Sequence, residues 1–205
     1  PCASEFANNT VATEWPVSAK ILMVSSLDSF SRKSTFTISA SSMPYSSVAC
    51  DNFLKLCSGE KGEVIVDEKT GVTAKLHYEG NPIHRVVKGG WIQCGDIVDG
   101  SGLNSFAAVD EKGAFRDESF SVDFGATMGG IVGYSTNAPH SNGSQFFITL
   151  GPCDWMNNKS VGFGRVVQGY TVLTEIENSQ MKNERPTNPS ILISNCGQMR
   201  MKIDG

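Results

Sequence analysis

Across residues 77–123 short apolar runs alternate with clusters of Gly, Asn and Asp. That rhythm is too quick for helices and suits short strands joined by turns. The pattern recurs along the chain. Ile21-Leu22-Met23-Val24 is a compact apolar run, and residues 34–40 alternate with Phe36, Ile38 and Ala40 on one face. Residues 144–150 and 161–168 are two more strand-like runs, and Ile191-Leu192-Ile193 is a last one. Two segments carry helical spacing instead. Pro44 suits a first turn, Tyr45, Val48, Ala49, Phe53, Leu56 and Cys57 follow at helical intervals, and Gly59 is placed to stop the helix. Over residues 169–178, Val172, Leu173 and Ile176 share a face. The charged, glycine-punctuated residues 59–71 read as a long loop. Many short strands with two helices predict a mainly β, α+β domain built as a barrel or sandwich.

Residues 1–17 show no sustained period and read as an irregular arm, followed by one domain over 18–198 and a tail over 199–205. A chain of 205 residues can bury a core without a disulfide or metal staple. Its 17 basic and 21 acidic side chains give a net charge of −4. That balance argues against a nucleic-acid binder, which neutralises phosphates, and against attraction to an anionic membrane surface. No apolar window is long enough for a membrane span. The six cysteines form no CxxC pair, so free thiols in a reducing, cytoplasmic setting are expected. The chain opens at Pro1 without an initiator Met, so a preceding segment is expected to have been lost. Sequons at Asn8, Asn142 and Asn158 are weak pointers to secretion, because such triplets arise often by chance.

Most common chemistries find no support. His77, His84 and His140 lack ligand spacing, so neither a metal nor a cofactor is expected. Gly133-Tyr134-Ser135-Thr136-Asn137 misses the last glycine of a nucleophile elbow, and Gly100-Ser101-Gly102 lacks the third glycine of a phosphate loop. Asp117 and Glu118 are adjacent, and strand neighbours face opposite ways, which disfavours paired acid–base work. The run 144–150 is more informative. Phe146, Ile148 and Leu150 point one way, and Gln145, Phe147 and Thr149 the other. Both faces carry a phenyl ring. One lines a core; the other is either covered by a second layer or forms a ligand surface.

Two segments carry a resemblance. Residues 83–96 read Ile-His-Arg-Val-Val-Lys-Gly-Gly-Trp-Ile-Gln-Cys-Gly-Asp, and residues 142–147 read Asn-Gly-Ser-Gln-Phe-Phe. With Asp154-Trp155-Met156, Val161-Gly162-Phe163-Gly164-Arg165 and Asn195-Cys196-Gly197-Gln198, they resemble the cyclophilin family of peptidyl-prolyl cis–trans isomerases, in its divergent branch. The resemblance implies a closed eight-stranded antiparallel β-barrel capped by two α-helices, with a groove on its outer wall. It implies action on X-Pro bonds of proline-containing peptides or proteins, and in sensitive members cyclosporin binding. It assigns catalysis to the Arg85 guanidinium, with Gln93 bonding the substrate and orienting that arginine. Phe147 becomes the floor of the proline pocket. Trp155 and Met156 border the groove, Gln145 lines it, and Ser135-Thr136-Asn137 offers backbone to the peptide.

Several positions depart from the family pattern, and all lie at the pocket. A Phe-Met pair is here Gly90-Trp91, where Trp91 either refills the lost volume or blocks it, and the rim histidine is Ser160. Weakened or altered isomerase activity is therefore expected. Two other readings stand beside it: a proline-peptide binding module without turnover, and a structural subunit of a larger, for instance cytoskeletal, assembly. The enzyme reading requires a hollow between Arg85, Phe147 and Trp91. It also requires an Arg85 guanidinium that keeps company with Gln93 and Phe147 and is not tied up by a neighbouring carboxylate.

Overall fold

A computed structural model describes residues 18–25, 33–40, 47–125, 129–187 and 191–199. The expected arm 1–17, Pro44, Tyr45, Cys2 and Asn8 lie outside the described residues, as does the tail beyond Met199. The elements in chain order are β1 (Ser18–Ser25), β2 (Lys33–Ser39), α1 (Ser47–Ser58), β3 (Glu63–Asp67), β4 (Val72–Lys75), β5 (Ile83–Val87) and β6 (Trp91–Cys94). Then come β7 (Ile131–Tyr134), β8 (Phe146–Thr149), a 3₁₀ turn (Asp154–Met156), β9 (Gly162–Gln168), α2 (Tyr170–Glu177), β10 (Met181–Lys182), β11 (Arg185–Pro186) and β12 (Ile191–Met199).

Eight strands form one antiparallel sheet in the order β12-β1-β2-β9-β7-β8-β6-β5. Its inner face carries Phe36, Ile38, Ile92, Phe146, Ile148 and Phe163, all buried in a single cluster. Against it α1 lays Ala49, Phe53, Leu56 and Cys57, the face expected from their spacing. The Phe53 ring meets Phe146 edge-on at 5.1 Å. The first turn of α1 is satisfied from afar, as the Val48 and Ala49 amides donate to the two carboxylate oxygens of Glu118 at 3.0 and 2.7 Å. Asp117 turns elsewhere, accepting from the Asn142 amide at 2.8 Å. The neighbouring acids thus serve separate structural tasks, and the Asn142 sequon is buried. On α2, Val172, Leu173 and Ile176 are buried as their spacing predicts.

Two expectations need correction. Residues 59–71 are not a long loop: β3 and β4 pair as a hairpin, with Val64 opposite Ala74 and Ile65 opposite Thr73. Val64 and Val66 pack against the core while the charged residues of the strand face water. The Asp67 side chain organises the turn, accepting from the Lys69 amide at 2.9 Å and the Thr70 hydroxyl at 2.7 Å. The second concerns closure. The sheet curls, yet among the described residues its end strands β5 and β12 form no ladder and are linked only by an isolated bridge, Pro82 to Leu192, just before β5. Higher along β5, the Val86 amide donates to the Glu184 carbonyl at 2.6 Å, so the β10–β11 hairpin covers an edge that a closing strand would need.

Candidate active site

The strand register builds the site. Arg85 pairs with Gln93 across β5 and β6, and Gln93 pairs with Phe147 across β6 and β8. Guanidinium, amide and phenyl therefore stand in one row on the sheet's outer face. On β8 the two phenyls part as the alternation predicts. Phe146 enters the main core, and Phe147 enters a second cluster with Phe124, Ile131, Cys153 and Met156. Close approach behind Phe147 is possible because residue 133 is glycine: a Cβ there would lie 2.6 Å from the Phe147 Cζ.

A cavity of about 450 Å³ opens over this row. Arg85, Trp91, Gln93, Ser135, Thr136, Asn137, Phe147, Trp155, Met156 and Ser160 line it. Gln145 stands behind the lining. Its side-chain oxygen accepts from the Gln93 amide at 2.8 Å, and its own amide donates to the Gly102 and Asn104 carbonyls at 3.0 and 2.8 Å. That chain fixes which end of each amide faces the cavity. The Trp91 indole N–H completes it by donating to the Gln93 oxygen at 3.4 Å.

Trp91 settles the question left by Gly90. Its indole packs on the Phe147 cluster, meets Trp155 edge-on at 5.3 Å, and lies 5.2 Å beneath the Arg85 guanidinium carbon. It forms a wall and leaves a hollow. A side chain at Gly90 would press on Val87, whose Cγ1 is 3.1 Å from the position of a Cβ.

Arg85 departs from what the enzyme reading required. Its Nε donates to the Glu184 carboxylate at 2.7 Å, in an ion pair whose two side chains are each about half exposed. Solvent screens such a pair. The contact uses one edge of the guanidinium, and its two Nη groups make no hydrogen bond to a described residue.

The sequence pattern did not point to His84, Ser101, Gly102, Asn183, Glu184 or Arg185, which also line the cavity. His84 is buried with neither ring nitrogen bonded. Burial holds its pKa below the usual 6.5; Asp96 opposes the shift and Arg185 adds to it. The only advance signal for the others is Asn183, a residue favoured at the first position of a two-residue turn. No thiolate stands near the cavity: burial raises Cys153, and burial with Glu118 pushes Cys50 up to about 11. Among the described residues no group of His, Cys, Asp and Glu is placed to hold a metal ion, and no helix is long and apolar enough to cross a membrane.

The sequence matches the family described as cyclophilin type peptidyl-prolyl cis-trans isomerase over residues 33–198. It is 41% identical over 147 residues to the probable inactive peptidyl-prolyl cis-trans isomerase-like 6 of Bos taurus, covering 72% of this chain and 43% of that protein. It is 37% identical over 153 residues to peptidyl-prolyl cis-trans isomerase 9 of Caenorhabditis elegans, covering 75% and 47%. It is 36% identical over 149 residues to peptidyl-prolyl cis-trans isomerase CYP21-1 of Arabidopsis thaliana, covering 73% and 62%. The chain thus spans less than two thirds of the length of these relatives.

Proposed function

The chain belongs to the cyclophilin-type peptidyl-prolyl cis-trans isomerase family, and we propose that it turns X-Pro bonds in peptides and proteins. Rotation about the imide breaks amide resonance, a barrier of about 18–20 kcal/mol. No covalent step or cofactor is needed. A site accelerates the rotation by binding the twisted imide more tightly than either planar form. In the twist the nitrogen turns pyramidal and gains a lone pair, while the carbonyl keeps its acceptor. A guanidinium that lines the cavity, with both Nη groups free of described partners, supplies donors for both.

The observation that carries this reading is the row Arg85, Gln93, Phe147 facing one cavity. Phe147 serves as floor for the proline ring. Gln93, oriented by Gln145, holds the flanking carbonyl. Thr136, between Ser135 and Asn137, offers backbone to the peptide, and Trp155, Met156 and Ser160 form the rim. Half-exposed Trp155 makes no hydrogen bond through its indole N–H to a described residue, so cyclosporin contact at that rim belongs to the proposal. A cytoplasmic setting belongs to it too; the buried thiols of Cys50, Cys57, Cys94, Cys153 and Cys196 support it.

Magnetisation-exchange NMR on a proline peptide tests the proposal. The chain should speed cis–trans exchange, and Arg85→Ala should lower that rate by about 10²-fold. Equal rates with and without Arg85 would overturn it. One observation favours a second reading, a proline-segment binder without turnover: the Arg85 guanidinium already carries the Glu184 carboxylate. Arg85-dependent peptide binding with no acceleration would select that reading. Peptide binding of neither kind would leave a structural subunit of a larger assembly.

A further inference from the structure

We infer that Glu184, at the tip of the β10–β11 hairpin, is the positioning residue for Arg85, an inference that rests on the isomerase reading. Three observations carry it. The first is strain. Asn183 and Glu184 form the two-residue turn between Lys182 and Arg185, and both have positive φ, 52° and 61°. Such turns favour Asn followed by Gly, because a Cβ at the second position crowds the following carbonyl. A glutamate held there is a local cost with no local benefit. Its benefit lies across the chain, at Arg85.

The second observation is how the tip is anchored. The Glu184 carbonyl accepts from the Val86 amide at 2.6 Å, and the Arg185 guanidinium donates to the Ser101 carbonyl at 2.6 Å. These two bonds dock the tip, one against β5 and the other against the loop at Ser101. The third is which edge of the guanidinium Glu184 takes. It bonds Nε and leaves both Nη groups without a described partner. A carboxylate that sequestered the arginine would bind bidentately and so engage at least one Nη group. This one takes Nε alone over the Trp91 ring, so it fixes the rotation of the group and leaves both Nη groups available in a side chain that lines the cavity.

Strain and function make separable demands on residue 184, and that separation is the test. Glu184→Gly removes the carboxylate and relieves the left-handed backbone. Glu184→Gln keeps an acceptor oxygen at the same reach. In the full chain, Glu184→Gly should raise the melting temperature yet cut turnover at saturating proline peptide about tenfold, with peptide affinity changed less than about twofold. Glu184→Gln should stay within about threefold of the unsubstituted chain. Hydrogen exchange at the Arg85 Nε–H, followed by NMR, should be slow in the unsubstituted chain and fast in Glu184→Gly. Turnover that is unchanged or raised in Glu184→Gly, while Arg85→Ala abolishes it, overturns the positioning role and leaves the isomerase reading standing. Exchange no faster than in Arg85→Ala for every variant overturns both.

Discussion

Gly133 and Phe147 face one another across β7 and β8, and the ring sits where a Cβ at residue 133 would be. Gly133→Ala should therefore push Phe147 toward the cavity. We expect a loss of about 1–3 kcal/mol in chemical denaturation together with weaker proline-peptide binding. An unchanged denaturation midpoint and affinity would show that the ring is not seated as described. His84 gives a second test. Its folded pKa lies below the ordinary 6.5, so between those two values the unfolded chain binds the extra proton. Stability should fall as pH drops through 6.5, and stop falling on this group's account once the folded form is protonated. Thermal unfolding across that window should show a flatter slope for His84→Gln than for the unsubstituted chain. Equal slopes would exclude His84 as the source.

The same residues show how far a sequence reaches. Phe147 was legible from a strand's two-residue period, and Arg85 and Gln93 from the motif that carries the resemblance; the register of the sheet sets them in one row. Glu184 was not legible. It meets Arg85 across nearly a hundred residues of chain, through a turn whose docking depends on a hydrogen bond to Val86. His84 reads as any strand histidine until burial removes its partners.

Among the elements, both helices were legible from apolar spacing, and the N-terminal end of α1 shows what spacing leaves out. Its exposed amides are answered by Glu118, far along the chain. Glu118→Ala should cost about 0.5–2 kcal/mol in urea unfolding and leave peptide isomerisation unaltered. Loss of activity at full stability would mean that Glu118 does something other than cap. The β3–β4 hairpin escaped notice because its short apolar run Val64-Ile65-Val66 is flanked by charged residues and glycines that read as a loop. Val64 and Val66 become half-buried only once the main cluster exists to receive them. The β10–β11 hairpin is shorter still, two residues a side. Its effect is nonetheless larger, since it covers the edge of β5 and delivers Glu184.

At the scale of the molecule, a curled eight-stranded sheet with α1 against its inner face makes its outer face the wall of the proposed site. Inner-face packing of Phe53, Phe146 and Phe163 makes that wall stiff, and stiffness is what a site needs if it is to favour one twisted geometry. The motif spacing led to the fold class and the groove. It did not disclose the open seam, where the β10–β11 hairpin takes a backbone donor on the edge of β5. The central claim is that this wall binds the rotating imide through Arg85. Exchange rates at saturating proline peptide, with binding read from chemical shifts in the same samples, test it most directly. The account predicts that Arg85→Ala still binds the peptide and scarcely turns it over. Turnover equal to that of the unsubstituted chain would contradict it.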